Sequence, residues 1–272
     1  MPLIELKHVS KSFGRLVVLD QLDLSIESGQ SLVVIGASGT GKSVLLKHIV
    51  GLLRPDDGEV WFDGVRVDEL PERELMALRQ RLGFLFQMGA LFDSLNVCDN
   101  VGFPIVEHTH KPPAEVRAIV AQKLEMVGLP GFENKMPAQL SGGQRKRVAL
   151  ARAIALDPEV ILYDEPTTGL DPVRSDVINQ LILKLQRELK VTSITVTHDM
   201  ASAFKVADRI VMLHEGKLIF DGTPAEIQRT DVSIVRQFVA GEASEEEVAA
   251  VDADENHVAP SGVTTGTEEE AA

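Results

Sequence analysis

Gly36-Ala37-Ser38-Gly39-Thr40-Gly41-Lys42-Ser43 follows the apolar run Leu32-Val33-Val34-Ile35 and opens onto Leu45-Leu46-Lys47-His48-Ile49-Val50. A buried strand, a glycine-rich loop and a helix start in that order make a phosphate-binding loop. Glycines let backbone N–H groups curl around the β- and γ-phosphates of a nucleoside triphosphate, and the helix adds its positive N-terminal end. Lys42 adds a full charge and Ser43 a hydroxyl for Mg²⁺. A helix end attracts a charge by only ~0.3–2 kcal/mol, so Lys42 and the metal must carry much of the phosphate neutralisation. A glycine turn that merely caps a helix has no need of Lys42 and Ser43. The loop alone leaves open which machine the nucleotide drives.

Outward from the loop, three more strand ends carry polar groups suited to phosphate chemistry. Val160-Ile161-Leu162-Tyr163 runs into Asp164-Glu165; Asp164 is placed to hold the hydration shell of Mg²⁺ and Glu165 to polarise water for in-line attack. The strand 83–86 ends at Gln87, whose amide can reach the metal or the attacking water and report nucleotide state to whatever touches the next loop. The strand 192–197 ends at His198, placed to bond the γ-phosphate or Glu165, with Asp199 next as an N-cap. Upstream, Phe13 is either a platform for an adenine ring or an ordinary strand-end aromatic. Leu140-Ser141-Gly142-Gly143-Gln144 precedes a helical run at 145–156. Ser141 and Gln144 have capping-box spacing, and the same glycine-rich helix start also reads as a second anion site. Gly169-Leu170-Asp171-Pro172 is a turn that opens a long helix at 172–189.

The remaining segments read as β-like runs at 3–9 and 22–26, a strand at 59–62 and an amphipathic helix at 71–82. A mostly helical stretch follows at 96–139, and a hairpin at 209–214 and 217–220 leads into a capped helix at Thr223-Pro224-Ala225-Glu226. The 272 residues are 44% hydrophobic and 25% charged, enough to bury a large core in one domain with room for a subdomain. There is no run of ~18 apolar residues and no secretory start, so a cytoplasmic location is expected. Cys98 is the single cysteine and reads as packing. The net charge of −14 is concentrated at the end: residues 241–272 hold ten acids and no Lys or Arg, leaving 31 acids against 27 bases before them. That composition predicts a disordered tail. Neither part has the basic excess of a nucleic-acid-binding domain, and no internal repeat is present.

Across residues 3–240 the chain resembles the ATP-binding cassette (ABC) ATPases, with Phe13, the loop 36–43, Gln87, Leu140-Ser141-Gly142-Gly143-Gln144, Asp164-Glu165, Asp171 and His198 in that family's order. The resemblance implies an α/β fold: a P-loop NTPase core with a RecA-like mixed sheet, an amino-terminal antiparallel β subdomain and an inserted α-helical subdomain. It places the cassette at 1–240, the insertion at about 96–157 and the tail at 241–272. It implies ATP and Mg²⁺ as ligands, with Glu165, His198 and Gln87 catalytic and Ser43, Gln87 and Asp164 at the metal. Gly36, Ala37, Ser38, Gly39, Thr40, Gly41, Lys42, Ser43 and Phe13 would bind nucleotide. So would Ser141, Gly142, Gly143, Gln144 and Asp171, because in that family two cassettes pair head to tail and the Ser141 segment of one faces the phosphate loop of the other.

Residues 83–97, Asn100-Val101, 104–108 and the closing Ile234-Val235-Arg236-Gln237-Phe238-Val239-Ala240-Gly241 are similar to the cassettes of Mla/MCE-type phospholipid transporters. Thr167-Thr168-Gly169-Leu170 follows the generic cassette pattern instead. The resemblance implies a homodimer on the cytoplasmic face of the inner membrane, bound to an integral MlaE-like permease and an MCE-domain lipid-binding protein, with no nucleic acid; some similar transporters add a small regulatory subunit, which the sequence leaves open here. The competing expectation is a cassette for import of a small polar solute such as an amino acid. Residues 84–108 and the closing helix argue against it.

Overall fold

The computed structural model describes residues 1–242. The tail expected at 241–272 therefore lies, from residue 243 onward, outside the described residues.

In chain order the elements are β1 (Ile4–Phe13), β2 (Leu16–Ile26), β3 (Ser31–Ile35), α1 (Lys42–Ile49), β4 (Asp57–Phe62), β5 (Val65–Arg66), α2 (Glu72–Gln80) and β6 (Leu82–Leu85). Then come α3 (Val97–His108), α4 (Pro113–Met126), a 3-10 turn (Pro137–Gln139), α5 (Gly142–Ala153), β7 (Val160–Asp164) and α6 (Pro172–Leu189). β8 (Thr192–Thr197), α7 (Met200–Val206), β9 (Arg209–His214), β10 (Lys217–Gly222), α8 (Pro224–Ile227) and α9 (Ser233–Ala240) complete the fold.

The strands form a four-stranded sheet, β2-β1-β4-β5, and a six-stranded sheet, β10-β9-β3-β8-β7-β6. The first is antiparallel; in the second only the β9–β10 hairpin is, and the other pairs are parallel. Parallel strands are covered on both faces and so read as unbroken apolar runs, as β3 does over Leu32-Val33-Val34-Ile35, with all five of its residues buried. Alternation along β3 divides the core. Val33 and Ile35 join Ile161 and Tyr163 against α3–α7, whereas Leu32 and Val34 join Val160 and Leu162 against α1, α2 and the antiparallel sheet. Each of these β3 side chains is fully buried, worth about 1.5–3 kcal/mol apiece.

Register positions the site. Leu85 lies beside Tyr163, Asp164 beside Val196 and Ile35 beside Thr197. The residues after β6, β3, β7 and β8 thus emerge along one carboxyl edge, where ligands of open α/β sheets bind.

Several elements differ from the sequence expectation. β1 and β2 each run several residues further because polar residues that break the alternation sit at bulges. His8 and Gln21 take positive φ there, the His8 N–H donates to Asp23 Oδ1 at 2.8 Å, and the Gln21 N–H donates to Ser10 Oγ at 3.0 Å. α2 stops at Gln80, releasing Leu82 to β6, and α5 is displaced toward its Ser141 cap. α7 was expected only as a capping residue; Asp199 Oδ1 accepts from the Ala201 and Ser202 N–H groups.

Candidate functional site

The phosphate loop is shaped by residues that cannot carry a Cβ. At Gly36, φ is +153° and an added Cβ would stand 2.4 Å from the Leu213 carbonyl oxygen. At Gly41, φ is +99° and the Cβ would be 2.7 Å from Val18 Cγ1. Gly41 also leaves α1 without a side-chain cap, and no acid lies in its first turn. Lys42 is only 6% exposed; its Nζ donates to the Gly36 and Ala37 carbonyls at 2.8 and 2.9 Å. Burial pulls the Lys42 ammonium below the usual lysine range, against the opposing pull of Glu165 and Asp164. A buried cation held only by carbonyls, beside an uncapped helix start, is a site built for an anion.

Ser43 Oγ donates to Asp164 Oδ1 at 2.9 Å. Burial pushes the Asp164 carboxyl up, with Glu165 adding to the rise and the Ser43 bond, Lys47 and Lys42 working against it. A desolvated carboxylate beside a hydroxyl is an oxygen pair that a hard divalent cation would relieve. No group of three or more His, Cys, Asp or Glu able to hold a metal occurs among the described residues. The Ser43–Asp164 oxygen pair fits Mg²⁺, which uses one or two carboxylates and takes its other oxygens from phosphates and water.

Glu165 is 8% exposed and takes positive φ. Its Oε1 lies 3.0 Å from His198 Nδ1, and its Oε2 accepts from Thr168 Oγ1 at 3.0 Å and Thr197 Oγ1 at 3.5 Å. A carboxylate so fixed at a strand end is oriented for general-base work. Phe13, Ser38, Gly39, Gly41, Lys42, Ser43, Gln87 and Glu165 line one cleft of about 420 Å³. Phe13 is half exposed at its rim, with Lys11 Nζ 5.7 Å from the ring centroid.

Ser141, Gly142, Gly143, Gln144 and Asp171 do not line that cleft. Ser141 and Gln144 form a reciprocal capping box: the Gln144 N–H donates to Ser141 Oγ at 3.3 Å and the Ser141 N–H to Gln144 Oε1 at 2.9 Å. Asp171 caps α6 through the Arg174 N–H at 3.0 Å and pairs with the Arg174 guanidinium at 3.2 Å. These two helix starts adjoin, since the Gly142 backbone approaches Leu170 and that of Gly143 approaches Arg174.

Beyond Gln87 lies a second concavity of about 450 Å³, between α2, β6, α3 and the end of α5. Phe84 and Phe86 stack there at 4.3 Å, and Phe92 meets Phe103 at 4.9 Å. Sequence reasoning missed what holds the loop between them. Arg152 donates to the Gly89 and Ala90 carbonyls, both at 2.8 Å. Asn100, fully buried, donates to the carbonyls of Phe92, Leu95 and Asn96 and accepts from the Phe92 N–H. Lys146 was missed as well: it is 6% exposed and bonds the Gln87 and Glu165 carbonyls. In the run Arg145-Lys146-Arg147 nothing marks the middle residue as the buried one.

Residues 19–168 match the family described as ABC transporter. The chain is 46% identical over 240 residues to the intermembrane phospholipid transport system ATP-binding protein MlaF of Haemophilus influenzae, covering 88% of this chain and 91% of that one. It is 45% identical over 238 residues to the probable ribonucleotide transport ATP-binding protein mkl of Mycobacterium leprae, covering 88% of this chain and 69% of that one. Among solved structures, a dimeric ATP-binding cassette in a post-hydrolysis state with ADP and Pi superposes with a TM-score of 0.75 at 35% identity, covering 81% of this chain and 98% of that one.

Proposed function

The chain belongs to the ABC transporter family as one of its ATP-hydrolysing subunits, and from that premise we propose that it powers phospholipid movement between the inner and outer membranes of the cell envelope. The observation that carries the substrate class is the near end-to-end match to the Haemophilus phospholipid transport subunit, against a shorter share of the mycobacterial one.

Within this reading the cassette spans 1–240, with about 96–157 as its helical insertion. Lys42 and the amides of residues 36–43 bind the β- and γ-phosphates, and Phe13 stacks on the adenine. Ser43, Asp164 and Gln87 would hold Mg²⁺, which neutralises charge on those phosphates. Glu165 accepts the proton of the attacking water, and His198 holds the Glu165 carboxylate through the bond at Oε1. Ser141, Gly142, Gly143, Gln144 and Asp171 serve the nucleotide of a second copy, so two chains complete two sites. Their absence from the cleft of their own chain agrees with that arrangement.

No described helix is long and apolar enough to cross a membrane. In this reading the work of hydrolysis passes to a separate permease. The aromatic groove beside Gln87 is where a permease helix docks, and it keeps this subunit on the cytoplasmic face of the inner membrane. An MCE-domain lipid-binding protein belongs to the same complex.

The test is a gentle-detergent pull-down from native membranes with identification of proteins and bound lipid. A permease with an MCE-domain protein and phospholipid supports the reading. A permease with a soluble nucleotide- or solute-binding protein and no lipid assigns polar-solute import instead; the mycobacterial relative is named for ribonucleotide transport.

A further inference from the structure

A lysine is rarely buried without a carboxylate partner, and Lys146 is buried among carbonyls. It stands on the inner face of α5, in the second turn after the Ser141 cap. Its Nζ donates to the Gln87 carbonyl and, at 3.2 Å, to the Glu165 carbonyl. Those residues follow β6 and β7, neighbours in the sheet whose ladder ends at Leu85 beside Tyr163. Beyond that point the two chain segments part, and the ammonium ties them together again. Burial depresses the basicity of Lys146, opposed by the charges of Asp164 and Glu165. The cost of desolvating a cation is being met by two neutral acceptors, an arrangement with no evident gain in stability.

We propose that Lys146 is a positioning residue for ATP hydrolysis. Its ammonium straps the backbones of Gln87 and Glu165 to α5, and so fixes the spacing of the two side chains that close the catalytic end of the cleft. Gln87 leads into the loop bordering the aromatic groove, and α5 begins at the Ser141 segment. The strap therefore makes the geometry at Glu165 depend on where α5 sits. This inference rests on the assignment of Gln87 and Glu165 as catalytic groups made above.

The experiment measures ATP turnover, affinity for a fluorescent ATP analogue and thermal midpoint for the full chain and its Lys146→Met, Lys146→Arg and Glu165→Gln variants. Misplacing a catalytic group by about 1 Å costs ~10²-fold. Lys146→Met is therefore expected to lose ~10- to 100-fold in kcat while KM and analogue affinity stay near wild type. Lys146→Arg, which keeps a multi-pronged cation, recovers most of that loss. Should Lys146→Met fail to fold, Lys146→Gln takes its place, because the shorter amide cannot span both carbonyls. A folded Lys146→Met with unchanged kcat overturns the proposal. So does a loss that Lys146→Arg does not recover and that follows the fall in thermal midpoint. Glu165→Gln separates the premise from the strap: full turnover there removes the catalytic assignment, whereas lost turnover there with intact turnover in Lys146→Met removes the strap alone.

Discussion

Two glycine-rich helix starts in this chain look alike in sequence and are built in opposite ways. The start of α1 has no side-chain cap and a buried lysine whose bonds go to loop carbonyls. The start of α5 closes on itself, with Ser141 and Gln144 satisfying each other's backbone. The positive end of a helix is common to both, and its ~0.3–2 kcal/mol cannot separate them. What separates them is an unmatched buried charge and two flanking carboxylates at α1. One chain builds the α1 site outright, whereas the α5 start presents a capped, partly exposed face that, in the function proposed above, serves a second copy.

The comparison breaks most visibly at Glu165. Removing a general base slows a reaction ~10²–10⁴-fold, so Glu165→Gln should bind ATP, turn over at that reduced rate and accumulate as a dimer on size-exclusion chromatography. Normal turnover would move the chemistry away from the α1 side. Lys42→Ala comes next. Hydrogen bonds to charged groups are worth about 1.5–3 kcal/mol, which predicts a loss of roughly 10- to 100-fold in ATP affinity by titration calorimetry. Unchanged affinity would make the loop an ordinary turn.

Ser141 sharpens the other half. As a cap, Ser141→Ala should cost ~0.5–2 kcal/mol of stability, whereas Asp caps as well as Ser. Ser141→Asp should then keep the wild-type thermal midpoint yet lose ATP-driven dimerisation, because its carboxylate would face a phosphate of the partner chain. Dimerisation as in wild type would leave the α5 start as a cap and nothing more.

The smallest effect is on stability. Burial raises the Asp164 pKa above the usual aspartate range, so the folded state binds that proton more tightly than the unfolded state. The resulting destabilisation sets in as pH rises from the unfolded value through the raised folded one, and is complete above it. Asp164→Asn should therefore raise the thermal midpoint of the nucleotide-free protein at neutral pH, with the gain vanishing in strong acid. Hydrolysis would be lost in the same variant.

The α1 half was legible because each residue there is of a type that its backbone or chemistry demands: Gly36 and Gly41 by steric exclusion, Lys42 by charge, Asp164 and Glu165 as acids ending an apolar run. The long helix α6 and strand β8 were read to the residue, since Asp171-Pro172 starts one and a run that is β-branched at every position but Ser193 makes the other. Residues whose role depends on distant carbonyls left no trace. Lys146 and Arg152 sit in a helix rich in basic residues, and only packing selects which of them turn inward. The bulges of β1 and β2 were hidden for a related reason, because their polar residues answer backbone groups on neighbouring strands. The division of α5 from its own cleft was expected from the family resemblance alone, as capping and anion binding ask for the same letters.

β6 is the terminal strand of the six-stranded sheet, and Phe86, Phe92 and Phe103, each about two-fifths exposed, gather beside it with Met88, which is 85% exposed. An edge strand bordered by uncovered aromatic surface is an invitation to self-association. Yield from expression of this subunit alone should accordingly be governed at this corner rather than at the nucleotide site. Co-expression with whatever covers those rings, or charged replacements at Met88, is the route to a well-behaved preparation.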